Sequence, residues 1–232
     1  ILIWDTSNGK LLNKMSVKNA KISCVSFSID GANIATGMDN GSVHVYNVKT
    51  GQKVLTMKES HTEKVRYLTY ISDGSIIVSA SADRSVMFWS AEDGSRLRVM
   101  PDLHKDDVLY LAFSNDYRRM VTASADATIK IWDIQTDTLV TSLAGHEDWV
   151  RSVTFHPKDN NYLLSASDDG CIRLWNLATM RDTVFHRANS YVTRAVYSSD
   201  AKNIVASYRD GSVRVWDADT QTENTHLQGT HN

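Results

Sequence analysis

Three stretches of this chain bring together the residue types of a nucleophilic triad. His61, Ser79 and Asp83 make the first set, His104, Thr122 and Asp126 the second, and His146, Ser165 and Asp169 the third. A histidine placed to take a hydroxyl proton, with an aspartate orienting its ring, would turn each hydroxyl into a nucleophile for acyl transfer. Two features argue against that chemistry. The combination recurs at the same phase, whereas one reaction needs one site, and neither a Gly-rich elbow nor an oxyanion loop accompanies it. His104 with Asp106 and Asp107 offers metal-ligand types without regular Cys/His spacing, so no metal is expected. No phosphate-binding glycine loop is present, and no cofactor is implied.

The elements that carry these residues repeat. Segments ending in an aromatic residue and its follower recur as Ile3-Trp4-Asp5, Val45-Tyr46-Asn47, Phe88-Trp89-Ser90, Ile131-Trp132-Asp133, Leu174-Trp175-Asn176 and Val215-Trp216-Asp217, at steps of 42, 43, 43, 43 and 41 residues. One supersecondary unit is therefore used again and again. Within each period, runs of about five residues alternate apolar and polar and break at Asp-Gly or Asn-Gly turns, the pattern of short antiparallel strands joined by hairpins. Four strands fit one period; in the fourth they are expected near 108–113, 118–122, 128–132 and 139–143. Asp93-Gly94, Asp169-Gly170 and Asp210-Gly211 supply the positive φ of hairpin turns, and Pro101 and Pro157, the two prolines, fall between strands. The reading is all-β.

Bulk properties narrow the function classes. With 232 residues, 42% of them hydrophobic, the chain is long enough for a sizeable core. Its 25 Lys+Arg and 27 Asp+Glu give a net charge of -2, which supplies no global field for nucleic acid or an anionic bilayer. Arg118-Arg119, the single adjacent arginine pair, lacks the basic neighbours of a nucleic-acid patch. Cys24 and Cys171 are expected as buried thiols rather than a disulfide. The opening Ile1-Leu2-Ile3-Trp4-Asp5 is not a signal peptide, so a cytoplasmic or nuclear location without membrane insertion is expected.

A period of this length, a Gly-His pair near the start (Gly145-His146), an Asp-Gly turn (Asp169-Gly170) and an aromatic-Asp or aromatic-Asn pair at the end (Trp175-Asn176) resemble the WD-repeat β-propeller family, over essentially the whole chain. The resemblance implies a β-propeller of four-stranded antiparallel blades. Residues 1–17 would be a partial blade, 18–60, 61–103, 104–145, 146–186 and 187–228 five complete ones, and 229–232 the entrance to a further repeat. Such a set would be part of a larger ring, seven-bladed as the family prefers, with the missing blades supplied by the rest of the chain or by a partner. The resemblance also implies that the triad-like groups are structural: Asp holds His, His holds Ser or Thr, and the hydroxyl holds the Trp indole. The sets are then His61, Ser79, Asp83 and Trp89; His104, Thr122, Asp126 and Trp132; and His146, Ser165, Asp169 and Trp175. The second repeat lacks this chain, with Lys18 or Asn19, Ala35 and Tyr46 at the corresponding positions. So does the sixth, with Arg187 or Ala188 and then Ala206, and these two blades are expected to open first.

Function then falls to residues around the propeller mouth. By resemblance, Lys64, Arg66, Trp149, Arg151, Tyr191, Tyr208 and Arg209 project there, as do Lys21, Ser23, Asp107, Leu109 and Thr193. Trp, Tyr and Arg combine large contact area with directional polar groups, the composition of interaction hot spots. The expected function is a non-catalytic scaffold or adaptor binding a peptide or protein domain at this mouth, as a subunit of a larger complex and without direct nucleic-acid contact. Trp149→Ala or Arg151→Glu would then weaken partner binding without loss of thermal stability. Two alternatives stand beside it: a sensor or autoinhibitory domain of a larger multidomain protein such as an apoptosome-type ATPase, and a component of an RNA-processing or ribosome-assembly complex.

Overall fold

The computed structural model describes residues 1–17 and 20–229. Lys18 and Asn19, expected near the second repeat's histidine position, and Thr230 and His231, expected at the entrance to a further repeat, lie outside the described residues. The chain forms two compact units, Ile1–Val108 and Leu109–Asn232. Among the described residues every regular element is a strand, and no helix is long and apolar enough to cross a membrane.

In the first unit, β1 (Leu2–Trp4) and β2 (Leu11–Lys14) form a two-stranded sheet. Two four-stranded sheets follow: β3 (Ile22–Phe27), β4 (Asn33–Met38), β5 (Val43–Asn47) and β6 (Lys53–Thr56), then β7 (Val65–Ile71), β8 (Ile76–Ser81), β9 (Val86–Ser90) and β10 (Arg96–Met100). The next sheet comprises β11 (Val108–Phe113), β12 (Arg119–Ser124), β13 (Ile129–Asp133) and β14 (Thr138–Leu143). The second unit continues with β15 (Val150–Phe155), β16 (Tyr162–Ser167), β17 (Cys171–Asn176) and β18 (Arg181–Arg187), and then β19 (Val192–Tyr197), β20 (Asn203–Tyr208), β21 (Ser212–Asp217) and β22 (Glu223–Gln228). Each sheet is an antiparallel meander in chain order, as hairpin connections of a few residues require. β12 runs two residues further than the sequence suggested, because Ala123 still pairs with Ile129 and is fully buried.

Within each unit the core lies between consecutive sheets. In the first unit Ala35, Val43 and Val45 meet Val65, Leu68, Ile77 and Trp89. In the second, Leu164, Ala166 and Ile172 meet Val192, Ala195, Ile204, Ala206 and Trp216. Each valine, leucine or isoleucine among them contributes about 1.5–3 kcal/mol on burial, so these sheets are held chiefly by area removed from water.

A second device ties one sheet to the segment after it. The turn between the second and third strands carries a left-handed residue at Gly41, Arg84, Ala127, Gly170 and Gly211, with φ between 64° and 85°. The carbonyls of Gly41, Arg84, Gly170 and Gly211 accept N–H bonds from His61, Leu103, Ala188 and Gly229 at 2.9–3.1 Å. A Cβ on Gly170 would sit 2.5 Å from the Ala188 carbonyl oxygen. Glycine at that position serves both the dihedral and the close approach.

Candidate functional site

Two of the triad-like sets form continuous buried chains. In the second unit the Trp175 indole N–H donates to Ser165 Oγ at 2.8 Å, Ser165 Oγ lies 2.7 Å from His146 Nε2, and His146 Nδ1 lies 2.8 Å from Asp169 Oδ2. The first unit repeats this, with Trp89 to Ser79 at 2.9 Å, Ser79 to His61 Nε2 at 2.8 Å and His61 Nδ1 to Asp83 at 2.9 Å. Because each hydroxyl accepts from an indole, its own proton is left to point at His Nε2, which puts the ring proton on Nδ1 facing the carboxylate. Burial pushes the pKa of Asp83 and Asp169 up. The hydrogen bond from the paired histidine, together with bonds from Ser85 and Thr62 in one case and from Cys171 and Glu147 in the other, outweighs it, and both carboxyls stay below the usual range.

This is the hydrogen-bond order of a catalytic triad, yet Ser79 and Ser165 are fully buried and each gives a lone pair to a tryptophan. A carbonyl carbon has no approach to either hydroxyl. The groups instead fasten the loop at His61 and His146 to the strand behind it, and the Thr62 and Glu147 N–H groups complete the aspartates' shells at 3.0 Å. In the remaining set, Trp132 donates to Thr122 at 2.9 Å and Asp126 accepts from Thr128 at 2.6 Å. His104 is buried at the end of the first unit. No cluster of three metal-ligating side chains occurs among the described residues. Both cysteines are free thiols, Cys171 buried and Cys24 half-buried, and burial pushes the Cys24 thiol up to about 11.

With the sheets and these clamps in place, the family is decided by comparison with known repeats. The WD40 model, described as WD domain, G-beta repeat, matches residues 9–47, 51–90, 94–133, 137–176 and 181–217. The chain belongs to the WD40 family. Its four-stranded sheets are WD40 blades of a β-propeller, and each matched repeat begins at or just before the outer strand of one blade and ends on the third strand of the next. Curated relatives match over short stretches. Apoptotic protease-activating factor 1 of Rattus norvegicus is 38% identical over 50 residues, 22% of this chain and 4% of that protein. Autophagy-related protein 18 of Schizosaccharomyces pombe is 31% identical over 55 residues, 23% of this chain and 15% of that protein.

The rim of the WD40 blades is shaped by a β-bulge at the start of four first strands, β3, β7, β15 and β19. The register skips a residue between Ile22 and Cys24, Val65 and Tyr67, Val150 and Ser152, and Val192 and Arg194. The unpaired residues are Ser23, Arg66, Arg151 and Thr193, and a bulge re-aims the side chain it carries. Arg66 Nε donates to Asp107 at 2.9 Å, so this arginine and that aspartate hold each other. Lys64 is half-buried, its carbonyl accepting from Ala82 N–H.

In the second unit the Arg151 guanidinium lies 4.5 Å from the Trp149 ring centre and donates through Nε to Asp168 at 2.8 Å. Arg209 lies 5.2 Å over the Tyr191 ring, and the two border a cleft of about 430 Å³ with Asn189, Ser190 and Asp210. Trp149 and Tyr191 remain 37% and 41% exposed. Arg209 has no carboxylate within ion-pair distance among the described residues.

Two expectations need correction. Tyr208 does not project at the rim: it is 4% exposed, its ring lies 6.5 Å from Trp216, and its hydroxyl has no partner among the described residues. The reason is strand parity, since Tyr208 shares a face of β20 with buried Ile204 and Ala206. Leu109 is buried in β11 likewise. The Asp168 clamp on Arg151 and the bond from Arg194 to the Tyr110 hydroxyl, with Arg194 stacked 5.1 Å over that ring, were not foreseen. Asp168 stands directly before the turn aspartate Asp169, but nothing local in sequence separates a rim carboxylate from a turn carboxylate.

Proposed function

We propose that the chain is a non-catalytic protein-interaction scaffold of the cytoplasm or nucleus, and that Trp149, Arg151, Tyr191 and Arg209 receive a peptide or domain of its partner. The observation that carries this reading is the pairing of two half-exposed rings with guanidinium groups stacked on them. Stacking fixes both rings before a partner arrives, which lowers the ordering cost of binding. Arg209, free of carboxylate partners, is the group offered to a partner's acidic side chain or phosphate. WD40 repeats are interaction modules, in keeping with this assignment.

The test is affinity purification of the protein and its Trp149→Ala and Arg209→Glu variants, with quantitative mass spectrometry. Specific partners should fall at least about tenfold in both variants, the range of a hot-spot loss, while melting temperatures stay near the parent's. Arg151→Glu is a poor probe, because it would set a carboxylate against the largely buried Asp168 and cost folding as well as binding. Unchanged partner recovery from both variants would refute the site.

A second reading, a sensor or autoinhibitory module of a larger protein, is favoured by the 50-residue likeness to apoptotic protease-activating factor 1. In that case the rim would engage another domain of the same polypeptide, and the purified rim variants would change that protein's activity rather than its partners.

A further inference from the structure

At the strand ends opposite the rim, the first unit holds a groove of about 420 Å³ between the β3–β6 and β7–β10 sheets. Its wall carries Ile29 and Val54, 65% and 55% exposed, together with Tyr70. Around these apolar groups stand three carboxylates, Asp30, Asp73 and Glu92. Asp30 Oδ1 accepts from Ser28 Oγ at 2.6 Å and from Ala32 N–H at 3.0 Å, and Asp73 Oδ1 accepts from Ser75 N–H at 3.0 Å. These bonds hold both carboxyls below their ordinary pKa and tie one oxygen of each to its own turn. None of the three has a cationic partner among the described residues, although the adjacent Asp93 is paired with Lys58 at 2.6 Å. The negative field reaches the groove: the Tyr70 hydroxyl is pushed up to about 12 by burial and then by the Asp30 charge.

We propose that this groove docks an extended segment of another protein in which a lysine or arginine adjoins a bulky aliphatic or aromatic residue. The apolar side chain covers Ile29 and Val54 and removes them from water; the cation sits among Asp30, Asp73 and Glu92, and its stem lies along the same apolar wall. The occupant follows from charge complementarity, since three unpaired carboxylates would repel an acidic segment and leave an uncharged one with nothing to neutralise them. The second unit supplies an internal contrast. The groove of about 510 Å³ there, lined by Tyr162 and Tyr197, also has three carboxylates, Asp159, Asp182 and Asp219. Arg181 stands in its wall and Arg173 binds Asp182, so its charge is largely offset. The inference does not rest on the rim assignment.

The test is a titration of the isotope-labelled full chain with the peptide acetyl-Gly-Leu-Lys-Phe-Lys-Gly-amide, followed by amide and methyl chemical shifts. Two controls replace either both lysines by glutamate or Leu and Phe by serine. Shifts should centre on Ile29, Val54 and Gly74, and each control peptide should bind at least about tenfold more weakly. Glu92→Lys and Val54→Ser, both at exposed positions, should each weaken the parent peptide at least about fivefold with unchanged melting temperature. Equal binding of parent and control peptides, shifts centred on the second-unit groove or the rim, or no shift at about 1 mM peptide, a concentration that reveals weak complexes, would each overturn the proposal.

Discussion

Removing one buried hydroxyl tests the account of the triad-like groups. Ser165→Ala takes away the acceptor of the Trp175 indole N–H at 2.8 Å and the partner of His146 Nε2 at 2.7 Å. Both partners lie in the buried interior. An orphaned buried polar group costs about 1–3 kcal/mol, so two sharing one site should cost about 2–4 kcal/mol after partial relaxation. Ser79→Ala should cost the same, since Trp89 and His61 stand at matching distances. Ser165→Thr keeps the hydroxyl, as Thr122 does for Trp132, so it should preserve protection of the Trp175 indole while its extra methyl costs about 1–3 kcal/mol in this fully buried site. Urea unfolding with native-state hydrogen exchange of the Trp175 indole measures both quantities. A loss under about 0.5 kcal/mol for Ser165→Ala, the scale of an ordinary surface change, would refute the reasoning.

Acid should destabilise the fold in two stages. His186 is held below its ordinary 6.5 by burial and by Arg214, so its contribution is complete above that pH and declines as the unfolded chain takes up the proton first; His186→Gln should flatten the stability profile between pH 7 and 5. Asp83 and Asp169, held below the carboxylate range, contribute above the ordinary 3.8 and lose that contribution as pH falls below it, which acid titration of Asp83→Asn and Asp169→Asn would isolate. Ala127, left-handed at φ 64°, should gain about 0.5–1 kcal/mol on conversion to glycine, whereas Gly170→Ala should lose about 2–3 kcal/mol to strain and collision, both read from thermal melts. Tyr208→Phe removes a buried hydroxyl without a partner and should leave stability unchanged or raise it by up to about 1 kcal/mol; a loss above that would mean the hydroxyl is satisfied in solution.

The strands were legible because their signals are local. Alternation marked each sheet, and Asp169-Gly170 and Asp210-Gly211 marked turns whose glycines are left-handed. Arg84 and Ala127 hold the same turn position without glycine, so only the 43-residue phase points to them, not their chemistry. In the sixth repeat, Ala206 stands where the hydroxyl would be, and the space around Trp216 is filled by rings: Phe185 at 5.9 Å, His186 at 5.0 Å and Tyr208 at 6.5 Å. Tyr208 was assigned to the turn when the parity of Ile204 and Ala206 already placed it inside. At the rim, residue types were readable but pairings were not, because Arg66 meets Asp107 across 41 residues and Arg151 meets Asp168 across a hairpin.

The most direct measurement of the rim assignment is site-specific photocrosslinking in cells, with a benzophenone side chain at Tyr191 or at the exposed Thr225 of β22. A specific protein should be captured from position 191 and lost when Arg209→Glu is added, with little capture from position 225. Capture from position 225 alone, or capture at position 191 indifferent to Arg209→Glu, would contradict a rim that binds through its stacked rings and free guanidinium.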